Sequence, residues 1–427
     1  MWLLERLLRK VVRHGRLTII DHDGRTYEFG SGDEPPIVLR FTRPGTAGRI
    51  VRNPQLGAGE AYMDGELLVE PPHDIRDMVL LVMANASRAG GLDTPTVWRR
   101  WLDKALWKLD QANDRRRASK NVKHHYELTR QFYELFLDED RQYTMAYWRS
   151  PGETLEQAQR DKKALIAAKL RLEPGATHGK SAGMRVLDIG CGWGGLGLYL
   201  NRHYGCEVLG ISLAPDQVRF ANERAQAAGV AGRVRFEVID YRDVQGSFDR
   251  ITSVGMIEHV GAGRFEEYFR KTHQLLAEDG IMLTHTIGRT SGPGRTDAWT
   301  RKHVFPGGYI PAMSELVTAI ENTGWQLGDV EILRYHYALT LREWYNRTNL
   351  HAAEIARLYD ERLLRKWQFY LAGAEQAFRN EDMVNFHLQT VQRQSALPMT
   401  RDYIAAEAAR LMASDPVPDW HLAQAAE

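Results

Sequence analysis

The sequence predicts an α/β protein, a parallel doubly wound sheet with helices on both faces, preceded by a smaller α+β domain. Three observations carry this. From about Met184, five apolar strand-like runs alternate with segments of helical periodicity, the pattern of a parallel sheet. The first run ends in the glycine-rich turn GCGWGG (Gly190 to Gly195), and ligands in such sheets sit outside the carboxyl ends of the strands. Upstream, residues from about 17 to 75 show short β-like runs divided by Gly, Pro and Asp.

A chain of 427 residues has room for two domains. Hydrophobic residues make up 43% and charged residues 26%, which is globular rather than disordered composition. Fifty-six basic and 55 acidic residues leave a net charge of +1, so charge gives no pointer to nucleic acid and no such partner is expected. Cys191 and Cys206 are too few for a disulfide framework and suit a reducing compartment. The longest apolar run, MVLLVMA from Met78 to Ala84, falls far short of the roughly 18 residues of a membrane span.

Taken in order, MWLLERLLRKVVRHGR does not read as a signal peptide, because charge interrupts its apolar residues. Leu3, Leu4, Leu7, Leu8, Val11 and Val12 recur at helical spacing among Arg6, Arg9, Lys10 and Arg13. Such a helix packs on its own domain or a partner chain, the plainer reading, or lies on an anionic bilayer. LTIID, TYEFG and PIVLRF are β runs, and GEAYMDGELLVE leads into a helical pattern from about Ile75. The basic stretch Trp98 to Lys123, with Arg115, Arg116 and Arg117, reads as a helical connector with a solvated face, or a lipid-headgroup contact. The boundary is placed there, giving domains of residues 1–115 and 116–427. RVLDIG, CEVLGIS, VRFEVID, DRITSVG and GIMLTHTIG are the strands, with helical patterns between the first four and before the fifth. From about Ser314 the tail reads as predominantly helical.

Gly190, Gly192 and Gly195 satisfy G-x-G-x-x-G, but a dinucleotide site needs an acid about 20 residues on, at the end of the second strand. That strand ends Gly210-Ile211-Ser212. The acid stands before the loop, at Asp188, the loop carries the bulky Trp193, and Asp240 follows the third strand, a position where a carboxylate or aromatic could meet an adenine ring. These features fit S-adenosylmethionine better than NAD, since no phosphate needs cradling. The fourth strand ends SVGMIEHVG, bringing Glu258 and His259, and the fifth brings His285, Thr286 and Ile287. Polar groups at neighbouring strand ends beside a ligand loop point to function. No metal is expected: adjacent Glu258 and His259 point apart, and no H-E-x-x-H or Cys pair accompanies them.

LDIGCGWGG, DYRD (Asp240 to Asp243), FDRITSVGMIEHVG, HTIG, FPGGYIP, YALTLREWY, the upstream HHYELTRQFYELFLDEDRQYTMAYW and GEAYMDGELL together resemble the cyclopropane-fatty-acyl-phospholipid synthase family. The resemblance spans nearly the whole chain. It implies a Rossmann-like class I methyltransferase fold with a lipid-binding or dimerisation-type N-terminal domain. It also implies attack of an acyl cis double bond, in a phospholipid, on the methyl of S-adenosylmethionine. The resulting carbocation loses a proton to bound bicarbonate and closes a cyclopropane ring. Carried over by position, Glu258, His285 and Tyr337 grip the bicarbonate, with Ile287 and Met145 completing the cage. Tyr143, Thr144, Gly190, Gly192, Ser212, Gln217, Tyr241 and Gly255 match cofactor positions, beside Asp188 and Asp240. The same resemblance implies a cytoplasmic enzyme peripheral to the inner membrane face, and a homodimer.

Physically, a weak alkene nucleophile needs orientation, and its cation needs an apolar pocket and aromatic faces such as Tyr337. Met145 stands where the family usually has Cys, Thr144 where it has Ser, and ELTR (Glu127 to Arg130) replaces a DxGN-like turn. These departures bear on the product more than on methyl transfer. The alternatives are a member leaving a methyl or methylene branch, a methyltransferase for a soluble amine or hydroxyl, and a non-catalytic lipid-binding protein.

Overall fold

The computed structural model describes residues 1–88, 129–172 and 183–414. Strands β1 (Gly15–Ile20), β2 (Thr26–Ser31), β3 (Ile37–Phe41) and β4 (Leu67–Val69) form a sheet in the order β2-β1-β3-β4. Alternation buries Leu17, Ile19, Phe29, Ile37, Leu39 and Phe41. The helix Trp2–Val11 buries Leu4 and Val11, so it packs on its own unit as the plainer reading has it. It nevertheless leaves Trp2 and Leu3 exposed, at 68% and 55%.

The expectation of mostly β structure to residue 75 needs correction. Thr46–Arg52 and Pro54–Met63 are helices. Pro54 suits the first helical turn, where its missing N–H has no partner to lose. Gly57 permits close packing of the two helices: a Cβ there would lie 2.6 Å from the Arg49 carbonyl oxygen.

The chain divides differently from a single cut near residue 115. Arg295–Pro306 and Ala338–Met383 belong with the N-terminal residues, and the rest form the second unit. The physical cause is the helix Glu361–Asn380, whose buried face includes Leu364, Trp367 and Leu371. It meets the helix Ile75–Arg88 through Glu375, which is wholly buried and takes two hydrogen bonds from Arg76, at 2.6 and 2.8 Å. Tyr62 also donates to Gln368 at 3.0 Å. Arg76→Ala leaves Glu375 with Arg379 alone and strands part of a buried charge. We expect a loss of about 2–3 kcal/mol, read as a fall in melting temperature of about 5 °C or more. The basic connector and its arginines lie outside the described residues.

In the second unit β5 (Arg185–Ile189), β6 (Glu207–Ser212), β7 (Val234–Val238), β8 (Phe248–Val254), β9 (Leu276–Arg289), β10 (Gln326–Leu333) and β11 (Met383–Val391) form one sheet. Their order is β10-β11-β9-β8-β5-β6-β7. The pairs β5–β6, β6–β7, β5–β8 and β8–β9 are parallel, and β10–β11 is antiparallel. The chain moves outward from β5 to β7 and returns to β8 on the other side of β5. That reversal opens a crevice at the carboxyl ends of β5 and β8.

All five expected strands are present. Two corrections apply: β7 and β8 are joined by a single 3-10 turn, Tyr241–Asp243, and the tail contributes β10 and β11. The strand β11 escapes notice because Asn385, His387, Gln389 and Thr390 are polar yet buried to 1% or less. Polar residues on both faces erase the apolar run by which an interior strand is read.

Candidate active site

The strand β5 delivers Asp188 to the crevice, and the loop after it turns through Gly190, Gly192 and Gly194, all at positive φ, into the helix Gly195–Tyr204. The N–H groups of Gly190 and Cys191 both donate to the Ile211 carbonyl, at 2.9 and 3.0 Å, which pins the loop to the end of β6. A Cβ at Gly190 would lie 3.3 Å from Met256, whereas one at Gly192 would meet nothing within 4 Å. The loop is therefore closed on its β8 side and open at Gly192, leaving room for a ligand to approach the backbone. Asp188 is buried and its Oδ2 has no hydrogen-bond partner. Burial pushes its carboxyl up to about 7, against the pull of Lys162. An orphaned acceptor beside an open glycine loop fits a cofactor with N–H or O–H donors, and S-adenosylmethionine has both.

Residues 142–148 form the next wall. Thr144 Oγ1 accepts from Lys162 Nζ at 2.8 Å, and Gln159 donates to the Thr144 carbonyl at 2.9 Å. A Cβ at Gly255 would approach Thr144 Cγ2 to 2.9 Å, so Thr144 abuts the end of β8. Met145 is wholly buried. His336 fixes the far end of the segment by accepting the Trp148 N–H at 3.0 Å and stacking on Tyr147 at 4.9 Å. Tyr337, next in the chain, is buried. Tyr143 packs edge-on to Tyr133, and Tyr133 to Trp193. Trp193 thus joins the glycine loop to the segment upstream of it.

Glu258 lies in the 3-10 turn Ile257–His259 just beyond β8, and His285 lies on β9, where it pairs with Val254 at the end of β8. Glu258 Oε1 accepts the Ile287 N–H at 2.7 Å, while its buried Oε2 has no partner. Burial pushes this carboxyl up to about 7, against the backbone N–H groups and the nearby Thr286 hydroxyl, which favour its charge; that hydroxyl donates to the Ile287 carbonyl at 2.8 Å. His285 makes no hydrogen bond to Glu258. Its Nδ1 meets His387 Nε2 at 2.8 Å and its Nε2 meets Asn385 Nδ2 at 3.2 Å. Burial holds the ring well below the usual histidine range, reinforced by Lys162 and Lys169, so it is neutral at pH 7.

On the β6–β7 side, Ser212 Oγ donates to Gln217 Oε1 at 3.3 Å. Asp240 accepts from Arg242 at 2.6 and 2.8 Å, and Tyr241 packs edge-on to Tyr268. The structure thus joins Glu258 to Ile287, Thr144 to Gly255 and Ser212 to Gln217, whereas Asp240 is engaged by Arg242.

Sequence reasoning missed the charged groups beneath these walls. Lys162, Lys163 and Lys169 lie buried on the helix Leu155–Lys169. Asp140 accepts from Lys163 at 2.6 Å and from Arg224, and Arg224 also donates to the Trp193 carbonyl at 2.8 Å. Burial would raise the Asp140 carboxyl, but Lys163 and Arg224 hold it well below the usual range. The run LEQAQRDKKALIAAK reads as a solvated helix, and only the alanines among its charges hint at close packing.

A sheet of this order with a glycine loop at its reversal is the Rossmann-like class I methyltransferase fold. Residues 113–388 match the family described as mycolic acid cyclopropane synthetase, and the chain belongs to that family. It is 35% identical to the cyclopropane-fatty-acyl-phospholipid synthase of Escherichia coli, over 82% of this chain and 86% of that one. Identity to a probable fatty acid methyltransferase of Pseudomonas putida is 33%, over 84% and 88% of the two chains. The solved structure of the mycolic acid cyclopropane synthase CmaA1 with SAH and CTAB superposes with a TM-score of 0.59 at 28% identity. It covers 64% of this chain and 97% of that one. The protein is an S-adenosylmethionine-dependent methyltransferase.

Proposed function

We propose that this enzyme methylates the cis double bond of a phospholipid acyl chain and closes it to a cyclopropane ring, with bicarbonate held as the base. The observation that carries this reading is Glu258: a buried carboxyl with one oxygen on the Ile287 N–H and the other unpartnered. An acceptor of this kind calls for a ligand O–H, and bicarbonate offers an O–H and oxyanion together. When bound, S-adenosylmethionine supplies an electrophilic methyl group, and bicarbonate a base.

The chain's own residues supply position and a dry site. Asp188, the loop from Gly190, Thr144 and Gly255 hold the cofactor, with Tyr143, Ser212, Gln217, Asp240 and Tyr241 along its length. Glu258, raised to about 7, shares a proton with the base at neutral pH. His285 offers it a hydrogen bond, Tyr337 adds its phenol, and Ile287 and Met145 close the cage. Buried Met145 and Tyr337 keep water from a cation that it would otherwise trap as an alcohol.

The substrate side of the proposal rests on the amino-terminal helix. Exposed Trp2 and Leu3 stand among Arg6, Arg9, Lys10 and Arg13, which suits an anionic bilayer surface. Among the described residues no helix is long and apolar enough to cross a membrane. The exposed apolar and basic side chains of this helix support action at an anionic membrane surface, as the family resemblance implies for the inner face.

Met145 favours one second reading, a methyl- or methylene-branched product, because a thioether stands where the family usually has a thiol. Incubation with S-adenosylmethionine and vesicles of cis-monounsaturated phospholipid, followed by proton NMR of the extracted chains, decides between them. High-field ring methylene signals are expected. Vinylidene or branched-methyl signals would move the enzyme to the second reading, and an unconsumed cofactor would redirect the search to soluble substrates.

A further inference from the structure

We propose that Lys169 and His387, anchored by Glu331, are positioning residues that fix His285 in the tautomer carrying its proton on Nε2. The inference rests on the reading of His285 as a ligand of the base, and supplies the donor that this reading needs.

The groups form an unbroken row. Lys169 Nζ lies 2.5 Å from Glu331 Oε2 and 3.1 Å from His387 Nδ1. His387 Nε2 lies 2.8 Å from His285 Nδ1. Lys169, His387 and His285 are each exposed by 1% or less, whereas the Glu331 side chain is 28% exposed. They come from the last turn of the helix Leu155–Lys169, from β11, from β9 and from β10. No other part of the mechanism uses Lys169, His387 or Glu331. Burying two imidazoles and an ammonium in line is costly unless every nitrogen is engaged.

The direction of each bond follows from donor counting. An ammonium has donors and no acceptor. Burial lowers the Lys169 pKa, and the ion pair with Glu331 at 2.5 Å opposes that and favours the charged form. Lys169 therefore donates to His387 Nδ1, which must be the unprotonated nitrogen. Burial holds His387 well below the usual histidine range, reinforced by Lys169 and by His285, His336 and Lys162, so the ring is neutral and its proton sits on Nε2. That N–H points at His285 Nδ1, which in turn accepts. His285, also neutral, is left with its proton on Nε2, the nitrogen beside Asn385. Turning the Asn385 amide over places its Oδ1 on that N–H. As it stands Oδ1 is buried without a partner, and nitrogen and oxygen of an amide exchange places at no steric cost. That N–H is fixed in the ring plane, so an oxyanion reaches it by sharing it with, or displacing, the neutral Asn385 amide, whereas an unprotonated Nε2 would repel the anion. Second residues behind a ligating histidine commonly set its tautomer in this way.

The test uses the full chain labelled with 15N-histidine, without cofactor, near neutral pH. Nitrogen–proton correlations assign each ring's tautomer, with His285 and His387 identified by loss of signal in His285→Asn and His387→Gln. The expected result is His285 protonated on Nε2 and unprotonated on Nδ1. Lys169→Met, which cannot donate, should yield a mixed or inverted His285 tautomer and lower kcat on vesicles about tenfold or more, with the KM for S-adenosylmethionine within about twofold. Lys169→Arg keeps the donors and should restore the tautomer. A proton on His285 Nδ1 in the unmodified protein overturns the proposal whatever the variants do. So does a Lys169→Met protein whose His285 signals do not move. If the tautomer is as stated and responds to Lys169→Met, yet vesicle lipids are not methylated, the positioning row stands and the lipid reading fails.

Discussion

Glu258→Gln should leave S-adenosylmethionine affinity within about twofold and lower turnover by a factor on the order of 10²–10⁴, the usual worth of a positioned acid or base. Glu258 leaves the end of β8 after Gly255, and its Oε1 is committed to the Ile287 N–H. A glutamine keeps that bond through its amide oxygen, and the fold has no reason to change. What it loses is at Oε2, where an acceptor becomes a donor at an atom that has no hydrogen-bond partner in the protein. Loss of ability to accept or share a proton there acts on the base and not on the glycine loop. The pH profile supplies an independent check. With Glu258 near 7, the unmodified enzyme's kcat should bend close to neutrality, and the bend should be absent from the residual activity of the variant. Isothermal titration with S-adenosylmethionine, paired with product NMR on vesicles, separates the two effects. Wild-type turnover in Glu258→Gln would remove this carboxyl from the chemistry, and loss of cofactor binding would place it in the cofactor pocket.

The sheet was readable because its first five strands are short apolar runs, each closed by Gly or a polar residue, and because a parallel sheet buries both faces. RVLDI and FDRITSV carry that signal in their own composition. The strand MVNFHLQTV does not, since its buried polar positions serve a neighbouring histidine and lysine and not a simple apolar core. The grouping of Arg295–Pro306 and Ala338–Met383 with the N-terminal residues was equally illegible. It depends on pairings such as Arg76 with Glu375, about 300 positions apart, and no turn signal marks where the chain changes unit. In the site, the glycine loop, Asp188 and the strand-end pair Glu258 and His285 followed from position at the carboxyl ends of strands. Met145, Tyr337 and Thr144 entered through resemblance, because an aromatic or thioether in an irregular segment has no periodicity to betray it. Lys162 was hidden for the opposite reason: its helix is regular, and charge on a regular helix reads as solvent-facing.

Asp188→Asn should do two things at once: weaken S-adenosylmethionine binding by about tenfold to a hundredfold and stabilise the cofactor-free protein above pH 6. The first follows from geometry. Asp188 Oδ2 is buried at the mouth of the glycine loop without a partner, and a hydrogen bond to a charged acceptor is worth about 1.5–3 kcal/mol, which converts to that range of affinity. The second follows from linkage. Burial raises the carboxyl from 3.8 to about 7 in the folded chain, so between those values the folded protein binds more protons than the unfolded one. Its contribution to stability is whole below about pH 4 and drains away as pH rises to 7, by at most about 4 kcal/mol. An asparagine has no charge to bury and loses nothing over that interval. The difference in melting temperature, variant minus unmodified, should therefore grow from pH 4 to 7 and flatten above, and saturating cofactor should shrink it. Equal cofactor affinity in the two proteins would mean that the loop is held open for some other reason. A melting difference that does not change with pH would mean that Asp188 finds a partner as the chain moves.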